Sequence, residues 1–375
     1  MTTLDGATTS ATAGATTGTT GQIWSYAEAA NPVRRGLCEP LRPCSWPASL
    51  HGPGPTARLP LLPPADQGLA EGATSPALAA AFLRLLPGES LCLPQGWTSL
   101  FLYVLQGEGT LGPAPSMSWG RGDALVLPVC PGLTLHARTE AVLYAVDDSP
   151  LLRWLGAIPA QGPRFSPVRF DADHLERHLR QVAGESAAAR ANRVSILLGH
   201  PDLPTTRTVS PSLWAMLGIV APGSVQAPHR HQSVALDLIL SAPPGSHTLV
   251  GERLDAEGQI MNPERIDWES GGAFLTPAGW WHSHVNPSDQ EARLLPVQDA
   301  GLAHLHPPRL TGEVVVLAAQ MQRAMHDEVG EMVRRPPALR DRLTADRLER
   351  EDDVAAGNRS EEHTSELQSP CNLVC

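Results

Sequence analysis

Two series of short β-rich runs constrain the fold of this chain more than any other feature. The first series, from about residue 82 to 148, contains "SLFLYVLQGEG", "GDALVLP" and "AVLYAVDD", and the second extends from about 194 to 296. Glycine and proline separate the runs at intervals of about ten residues, which is typical of β-sandwiches and barrels. The two series also align weakly with each other, since "WGRGDALVLP" matches "WESGGAFLTP". We therefore predict a mainly β protein with two related β domains and a few short helices.

The segments around the β domains differ in composition. In chain order we predict a disordered low-complexity segment at 1–22, a first β domain at 23–160, a helical connector at 161–190, a second β domain at 191–308, and a charged amphipathic helical tail at 309–358. The last segment, "RSEEHTSELQSPCNLVC" at 359–375, departs from the Arg/Ala/Pro-rich composition before it. We interpret it as a translated sequencing adapter and give it no role.

Charge and composition exclude several classes of protein. The formal net charge of -11 argues against a nucleic-acid partner, because binding a polyanion needs a basic surface. All 28 basic residues are arginine, so Schiff-base catalysis by lysine and a P-loop lysine are excluded. The six cysteines form no C-x-x-C pair, so they are not expected to bind metal. No run approaches the roughly 18 apolar residues of a membrane span, and the N-terminus lacks a signal-peptide pattern, so we expect a soluble cytoplasmic protein.

Regularly spaced histidines indicate a metal site in the second β domain. His229 and His231 are two positions apart in "GSVQAPHRHQSVALDLIL". In an extended strand their side chains point to the same side, with α-carbons about 6.6 Å apart. The later stretch "GGAFLTPAGWWHSHVN" adds His282 and His284, again two positions apart. We predict that His229, His231 and His282 share one metal ion.

The first β domain lacks the first pair of histidines. When the two series are aligned, Pro94 and Gly96 occupy the corresponding positions, and neither can bind a metal. Only His136 lies near the other end, and a single histidine is more often structural. The first domain is therefore predicted to be a degenerate, metal-free copy.

The sequence around the four histidines resembles the cupin superfamily of small jelly-roll β-barrels. Cupins carry a first motif, G-x5-H-x-H with a later glutamate, and a second motif, G-x5-P-x-G-x2-H-x3-N. Gly223, His229 and His231 match the first motif. The second motif is matched in full, by Gly271, Pro277, Gly279, His282 and Asn286. The fold that this resemblance implies is a pair of cupin-type jelly-roll barrels.

Among the cupins, the chain is similar to the two-barrel gentisate 1,2-dioxygenase and salicylate dioxygenase group, through "HRHQSVAL" and, more loosely, "GWWHSHVN". The resemblance implies Fe(II) held by His229, His231 and His282, with open positions for a hydroxylated aromatic substrate and dioxygen, and ring cleavage as the reaction. It implies that His284 hydrogen-bonds the substrate or transfers a proton, and a purely structural role is the alternative. It also implies a homo-oligomer, either a dimer or a tetramer.

Two departures from the family pattern concern the metal and the substrate. The family's glutamate ligand would fall at Ala235 or Leu236, so the predicted site has three histidines and no carboxylate. The arginine that holds the substrate carboxylate in gentisate-type enzymes is replaced by Asp237, which would repel a carboxylate. Arg207 is the alternative clamp, although a surface position also fits it. The substrate therefore need not be gentisate.

Three further side chains are candidate substrate contacts, and two other functions remain open. Gln232 follows the H-x-H directly, and Trp214 and Trp281 could form an aromatic wall for a planar ring. Core packing is the alternative for the tryptophans, and an exposed position is the alternative for Gln232. A zinc or manganese cupin acting as a hydrolase or isomerase also suits a three-histidine site. A non-catalytic cupin that binds a small ligand is the third possibility.

Overall fold

The computed structural model describes residues 21, 23–26, 41–112, 117–160, 162–185 and 194–305. Contacts divide the chain into two compact units, Met1–Leu41 and Arg42–Cys375. Every strand and helix named here lies in the second unit. The predicted tail at 309–358 and the adapter-derived end at 359–375 lie outside the described residues, as does all of 1–22 except residue 21.

The first half of the second unit forms strands joined by short loops. Their bounds are β1 (Cys44–Trp46), β2 (Ala57–Pro60), β3 (Ala79–Leu85), β4 (Ser90–Cys92), β5 (Ser99–Gln106), β6 (Glu108–Gly112), β7 (Met117–Gly120), β8 (Ala124–Pro128), β9 (Thr134–Ala137) and β10 (Ala141–Asp147). Short 3-10 turns at Ala48–His51 and Ala65–Gln67 interrupt the connections around β2.

The second half adds three helices, among the described residues, to a further series of strands. In chain order the elements are α1 (Ser149–Leu155), β11 (Val168–Phe170), α2 (Ala172–Ala183), β12 (Val194–Leu198), β13 (Trp214–Val220), β14 (Ser224–Val225), β15 (Ala235–Ser241), β16 (His247–Gly251), β17 (Glu264–Asp267), β18 (Ala273–Thr276), β19 (Trp281–Asn286), β20 (Ala292–Gln298) and α3 (Gly301–Leu305). Among the described residues, no helix is long and apolar enough to cross a lipid bilayer.

Eight consecutive strands in each half build the same pair of sheets. The first barrel has the strand orders β8-β5-β10-β3 and β4-β9-β6-β7, and the second has β18-β15-β20-β13 and β14-β19-β16-β17. Every one of these pairs is antiparallel. Eight antiparallel strands in two facing sheets are the architecture of a jelly roll. The predicted mainly β fold with two jelly-roll barrels and a few short helices is confirmed.

Short edge strands extend the larger sheet of each barrel in a reciprocal way. β2 and β12 pair with β3 and β13 of their own halves. In contrast, β1 pairs with β18 of the second barrel, and β11 pairs with β8 of the first. Each half of the chain therefore contributes one strand to the barrel of the other half, and backbone hydrogen bonds connect the two barrels. The division of the chain at residues 160, 190 and 308 stays a prediction.

Strand alternation explains why the long strands are apolar on both faces. In β10, Ala141, Leu143 and Ala145 point into the first barrel and join its apolar core. Val142, Tyr144 and Val146 point the other way and are also buried. There the Tyr144 hydroxyl donates to the carbonyl of Leu236 on β15 at 3.5 Å. The larger sheets of the two barrels thus pack against each other, which requires the continuous apolar runs seen in the sequence.

The interior of the first barrel is filled with large apolar side chains. Trp97 and Trp119 are fully buried there, together with leucines from both sheets. His136, the histidine singled out in this half, is exposed on β9, and its Nδ1 lies 2.6 Å from Ser90 Oγ. His136 therefore belongs to the outer surface and not to the barrel interior.

Helix α2 is attached to the second barrel by apolar and ionic contacts. It begins after Asp171, whose side chain accepts a hydrogen bond from the backbone N–H of His174, and it buries Leu175 and Leu179. On its polar side, arginines and glutamates alternate across the gap to β20. The bonds are Glu176 to Arg293 at 2.7 Å, Glu176 to Arg180 at 2.8 Å, Arg180 to Glu291 at 2.6 Å and Glu291 to Arg293 at 2.6 Å.

We expect this ion-pair network to make a measurable, pH-dependent contribution to stability. Hydrogen bonds from Arg293 and Arg180 lower the pKa of Glu176 to about 2, although burial opposes them. A lowered carboxyl pKa stabilises the folded state above the unfolded value, near 4.5, and the stabilisation is lost as the pH falls towards 2. Since Glu176 is 44% exposed, Glu176→Gln should cost only about 0.5–1 kcal/mol at pH 7. Urea denaturation at pH 7 and pH 2.5 measures the difference.

The exposed Glu257 provides the control, because Glu257→Gln removes the same charge outside the network. We expect it to change the free energy of unfolding by less than Glu176→Gln at pH 7. A loss from Glu176→Gln that is equally large at pH 2.5 would contradict an ionic origin.

Candidate metal centre

Backbone hydrogen bonds hold the two histidine segments side by side. His282 and His284 are alternate residues of β19, so both point to the same face of the strand. His229 is directly opposite His282, with His229 N donating to His282 O at 3.0 Å and His282 N donating to His229 O at 2.8 Å. Gly279 N donates to His231 O at 2.7 Å. The loop before β15 is thereby fixed against β19.

The four imidazole rings converge inside the second barrel. The ring centroid of His282 lies 4.1 Å from that of His229, 4.9 Å from that of His231 and 5.6 Å from that of His284. Potential ligand atoms of His229, His282 and His284 all lie within 4.8 Å of one another. The structure therefore brings together all four histidines that the sequence singles out. Their binding of a metal stays a prediction.

The charge state of the cluster suits a cation. Burial, and then the neighbouring His229, His231 and His284, lower the pKa of His282 well below 6.5. His282 is therefore neutral at pH 7, and a neutral imidazole keeps the lone pair that a metal needs. A cluster of imidazoles that includes the buried, neutral His282 fits a divalent transition metal, for which imidazole is a preferred ligand.

Hydrogen bonds at Nδ1 distinguish three of the histidines from the fourth. In His229, His231 and His282, Nδ1 contacts a backbone carbonyl two residues away. These carbonyls are Ala227 O at 3.1 Å, Ser233 O at 2.7 Å and Trp280 O at 3.3 Å. A carbonyl only accepts, so Nδ1 carries the proton and the lone pair of each neutral ring is on Nε2. Metal-binding histidines usually have their other ring nitrogen bonded in this way.

His284 has a different partner, a hydroxyl group. Its Nδ1 lies 2.9 Å from Thr248 Oγ1, which also accepts a hydrogen bond from Trp268 Nε1 at 2.8 Å. The indole can only donate, which leaves the Thr248 hydroxyl proton available for donation to His284 Nδ1. In the tautomer that accepts this bond, the proton of a neutral His284 is on Nε2. This pattern favours His229, His231 and His282 as ligands and His284 as a hydrogen-bond donor. His284 is nevertheless one of the three histidines whose potential ligand atoms lie within 4.8 Å of one another.

Asp237 lies on the inner face of the larger sheet of the second barrel. In the register of β15 and β18 it is directly opposite Phe274, whose ring centroid lies 6.2 Å from that of His284. Its side chain is buried, and Thr276 Oγ1 donates to Asp237 Oδ2 at 3.3 Å. The replacement noted in the sequence therefore puts a carboxylate in the wall of the same interior that holds the histidines.

Trp214 also lies inside the second barrel and is connected to the histidines by polar groups. It is 1% exposed and pairs in register with Gln298 of β20. Ser233 Oγ donates to Gln298 Oε1 at 2.7 Å, and the carbonyl of Ser233 is the acceptor for His231. Core packing and substrate contact are both compatible with this position of Trp214.

The structure does not bring the remaining candidates into the same interior. Trp281 alternates with His282 along β19 and therefore points to the opposite face, where the guanidinium carbon of Arg230 lies 4.6 Å from the Trp281 ring centroid. Arg207 is exposed in a turn with φ of 55°, and it is not on a barrel strand. Gln232 is exposed beside His231. Substrate contacts by these three side chains stay predictions.

Sequence reasoning missed the residues that orient His284. Thr248 is on β16, directly opposite His284, and Trp268 follows β17. Both are buried, and neither is part of the motifs that identified the histidines. Only the strand pairing of β16 with β19, which the sequence does not specify, could have identified them.

Curated proteins are similar to parts of this chain. No family model matches the chain. A gentisate 1,2 dioxygenase 1 of Aquipseudomonas alcaligenes is 26% identical over 150 residues, which is 40% of this chain and 40% of that protein. A 5-aminosalicylate 1,2-dioxygenase of Comamonas sp is 32% identical over 122 residues, 31% of this chain and 32% of that protein. The matches thus span less than half the length of either curated relative.

Solved structures of a salicylate 1,2-dioxygenase share the fold. The enzyme from Pseudaminobacter salicylatoxidans superposes with a TM-score of 0.56 at 17% identity, covering 70% of this chain and 85% of that chain. Its adduct with gentisate gives a TM-score of 0.54 at 15% identity, covering 70% and 82%. The chain therefore has the fold of these structures, a pair of cupin-type jelly-roll barrels. Within that class, the chain resembles gentisate 1,2-dioxygenase and salicylate dioxygenase.

Proposed function

We propose that this protein is an Fe(II)-dependent dioxygenase that cleaves the ring of a hydroxylated aromatic compound. The observation that carries the proposal is the convergence of His229, His231 and His282 in the second barrel, each with Nδ1 on a backbone carbonyl. The similarity to proteins named as gentisate and 5-aminosalicylate dioxygenases supports the reaction class.

The residues present fit an iron site. His229, His231 and His282 would hold Fe(II) through Nε2, and no carboxylate ligand would reduce the charge of the ion. Bound iron would supply a Lewis acid with open positions for a phenolate oxygen and dioxygen. His284 would donate a hydrogen bond from Nε2 to the substrate in the tautomer in which the Thr248 hydroxyl donates to its Nδ1.

The buried interior around the histidines supports binding of a planar ring. Phe274 and Trp268 pack against His284, with ring centroids at 6.2 Å and 5.5 Å. Both side chains are apolar parts of the interior wall, and Trp214 is buried on the inner face of β13. Asp237 disfavours a carboxylate on the ring, so we propose that the substrate is a small hydroxylated aromatic other than gentisate itself.

Oxygen consumption by the metal-loaded protein tests the proposal. Purified protein is loaded anaerobically with Fe(II), and oxygen uptake is followed with a panel of gentisate, salicylates and catechols. We expect uptake with at least one of these compounds and a ring-opened product of matching stoichiometry. Protein that demonstrably holds iron but consumes no oxygen with any of them would overturn the proposal.

The metal found in the protein as isolated decides between the alternatives. Iron together with oxygen uptake supports the dioxygenase, whereas zinc or manganese without uptake would support a hydrolase or an isomerase. We further propose a cytoplasmic homo-oligomer, a dimer or a tetramer, which size-exclusion chromatography with light scattering measures.

A further inference from the structure

Gln226 lies inside the second barrel next to the histidine cluster. The antiparallel register of β14 and β19 pairs Ser224 with Asn286 and Val225 with Val285, and Gln226 continues it opposite His284. Gln226 N donates to His284 O at 2.9 Å. Directly opposed residues point to the same face of a sheet, so the Gln226 side chain points inwards with His284. Val225, the residue before it, is 67% exposed on the other face.

The carboxamide of Gln226 has an acceptor that the protein does not use. The side chain is 5% exposed, and its Oε1 has no hydrogen-bond partner. A buried carbonyl oxygen without a donor is costly, and such groups in folded proteins usually have a bound partner or a catalytic role. Ser283 Oγ donates to the backbone carbonyl of Gln226 and Thr248 Oγ1 bonds His284, so neither hydroxyl satisfies Oε1.

We propose that Gln226 Oε1 is an oxygen ligand of the metal that the histidine cluster binds. The proposal rests on the metal centre of the proposed function. The cluster has imidazoles from His229, His231 and His282 and no carboxylate at the motif position, where Ala235 and Leu236 stand. Carboxamide oxygens are known metal ligands, and this one would complete a neutral ligand set. A site of this composition keeps the full double charge of the ion available for an anionic substrate oxygen.

Metal affinity of two Gln226 variants tests the assignment without any substrate. The apoprotein is titrated with Co(II), and the dissociation constant and the visible absorption bands of the complex are measured. Gln226→Leu keeps the approximate shape but removes a neutral amide oxygen, a weaker ligand of such a metal than imidazole, and we expect an affinity about 10- to 100-fold weaker, a smaller loss than for a histidine ligand, with shifted bands. Gln226→Glu supplies a charged oxygen, and we expect tighter binding. Gln290→Leu, which alters an exposed glutamine in the turn after β19, serves as the control.

The stability of the metal-free proteins separates a ligand from a packing residue. If Gln226 is retained for packing, Gln226→Leu should lower the melting temperature of the metal-free protein. A glutamine retained as a ligand leaves an unsatisfied acceptor in the apoprotein, so Gln226→Leu should melt at the same temperature or higher while binding Co(II) more weakly. That combination of opposite effects is the expected result.

Two outcomes would overturn the inference, and they are distinguishable. If the wild-type protein and Gln226→Leu bind Co(II) with the same constant and spectrum, the metal centre stands but Gln226 is not one of its ligands. Wild-type protein that binds no Co(II) would instead overturn the metal centre of the proposed function.

Discussion

A His282→Gln variant is expected to lose metal binding and, with it, oxygen uptake. His282 is the ring on which the rings of His229, His231 and His284 converge, and glutamine replaces it at similar size. Loss of a residue that only orients a ligand weakens metal affinity about 10- to 100-fold, so loss of the ligand itself should weaken it by more than about 100-fold. Metal content after dialysis and a Co(II) titration measure the effect.

His284→Gln is the matched comparison on the same strand face. We expect this variant to retain metal within about tenfold of wild type, because the tautomer in which Thr248 donates to His284 Nδ1 leaves a proton, and no lone pair, on Nε2. Its oxygen uptake should fall by about 10²- to 10⁴-fold, the usual contribution of a positioned proton donor. A variant that instead loses its metal, while His231→Gln keeps it, would show that His284 replaces His231 as a ligand.

His282 should also affect how the stability of the metal-free protein depends on pH. Its lowered pKa means that the unfolded state binds a proton that the folded state does not. The stability of the apoprotein should therefore fall as the pH drops below about 6.5, by up to about 1.4 kcal/mol per pH unit from this residue. His282→Gln should have a shallower pH dependence between pH 6.5 and 5, measured by urea denaturation.

Much of the candidate site was predictable because strand geometry has a period of two. The pairs His229/His231 and His282/His284 are each spaced to point to one side, and the structure places all four rings together. The same period places Trp281 on the opposite face of β19 from His282, so a substrate contact by Trp281 stays a prediction. Alternation thus supports the metal site and argues against one of its proposed neighbours.

Long-range pairing was not predictable from a single sequence. The exchange of β1 and β11 between the barrels depends on which sheet edge each short strand meets, and three residues carry too little pattern to specify that. The Thr248 hydroxyl contacts His284, and Gln226 lies opposite His284, only because β16 and β14 flank β19. A motif search finds ligands close in sequence, whereas their hydrogen-bond partners come from neighbouring strands.

Asp237→Asn is expected to strengthen binding of carboxylated ring compounds selectively. Asp237 is buried on the inner face opposite Phe274, and asparagine is nearly the same size and can still accept from Thr276. Two like unit charges about 8 Å apart repel by about 2 kcal/mol at an effective dielectric constant of roughly 20. Removing that repulsion corresponds to an increase of about thirtyfold in affinity. Calorimetric titration of the Co(II)-loaded protein with gentisate measures it.

Catechol and a surface variant give this experiment its internal controls. Catechol has no carboxylate, so its affinity should change by less than about threefold in Asp237→Asn, since only the charge-charge repulsion is removed. Asp267→Asn removes a carboxylate whose side chain is 74% exposed on β17, and screening by water should leave gentisate binding unchanged. If gentisate binds Asp237→Asn no more tightly than wild type, the carboxylate of Asp237 does not act on the ligand. The preference against carboxylated substrates would then have to come from the shape of the barrel interior.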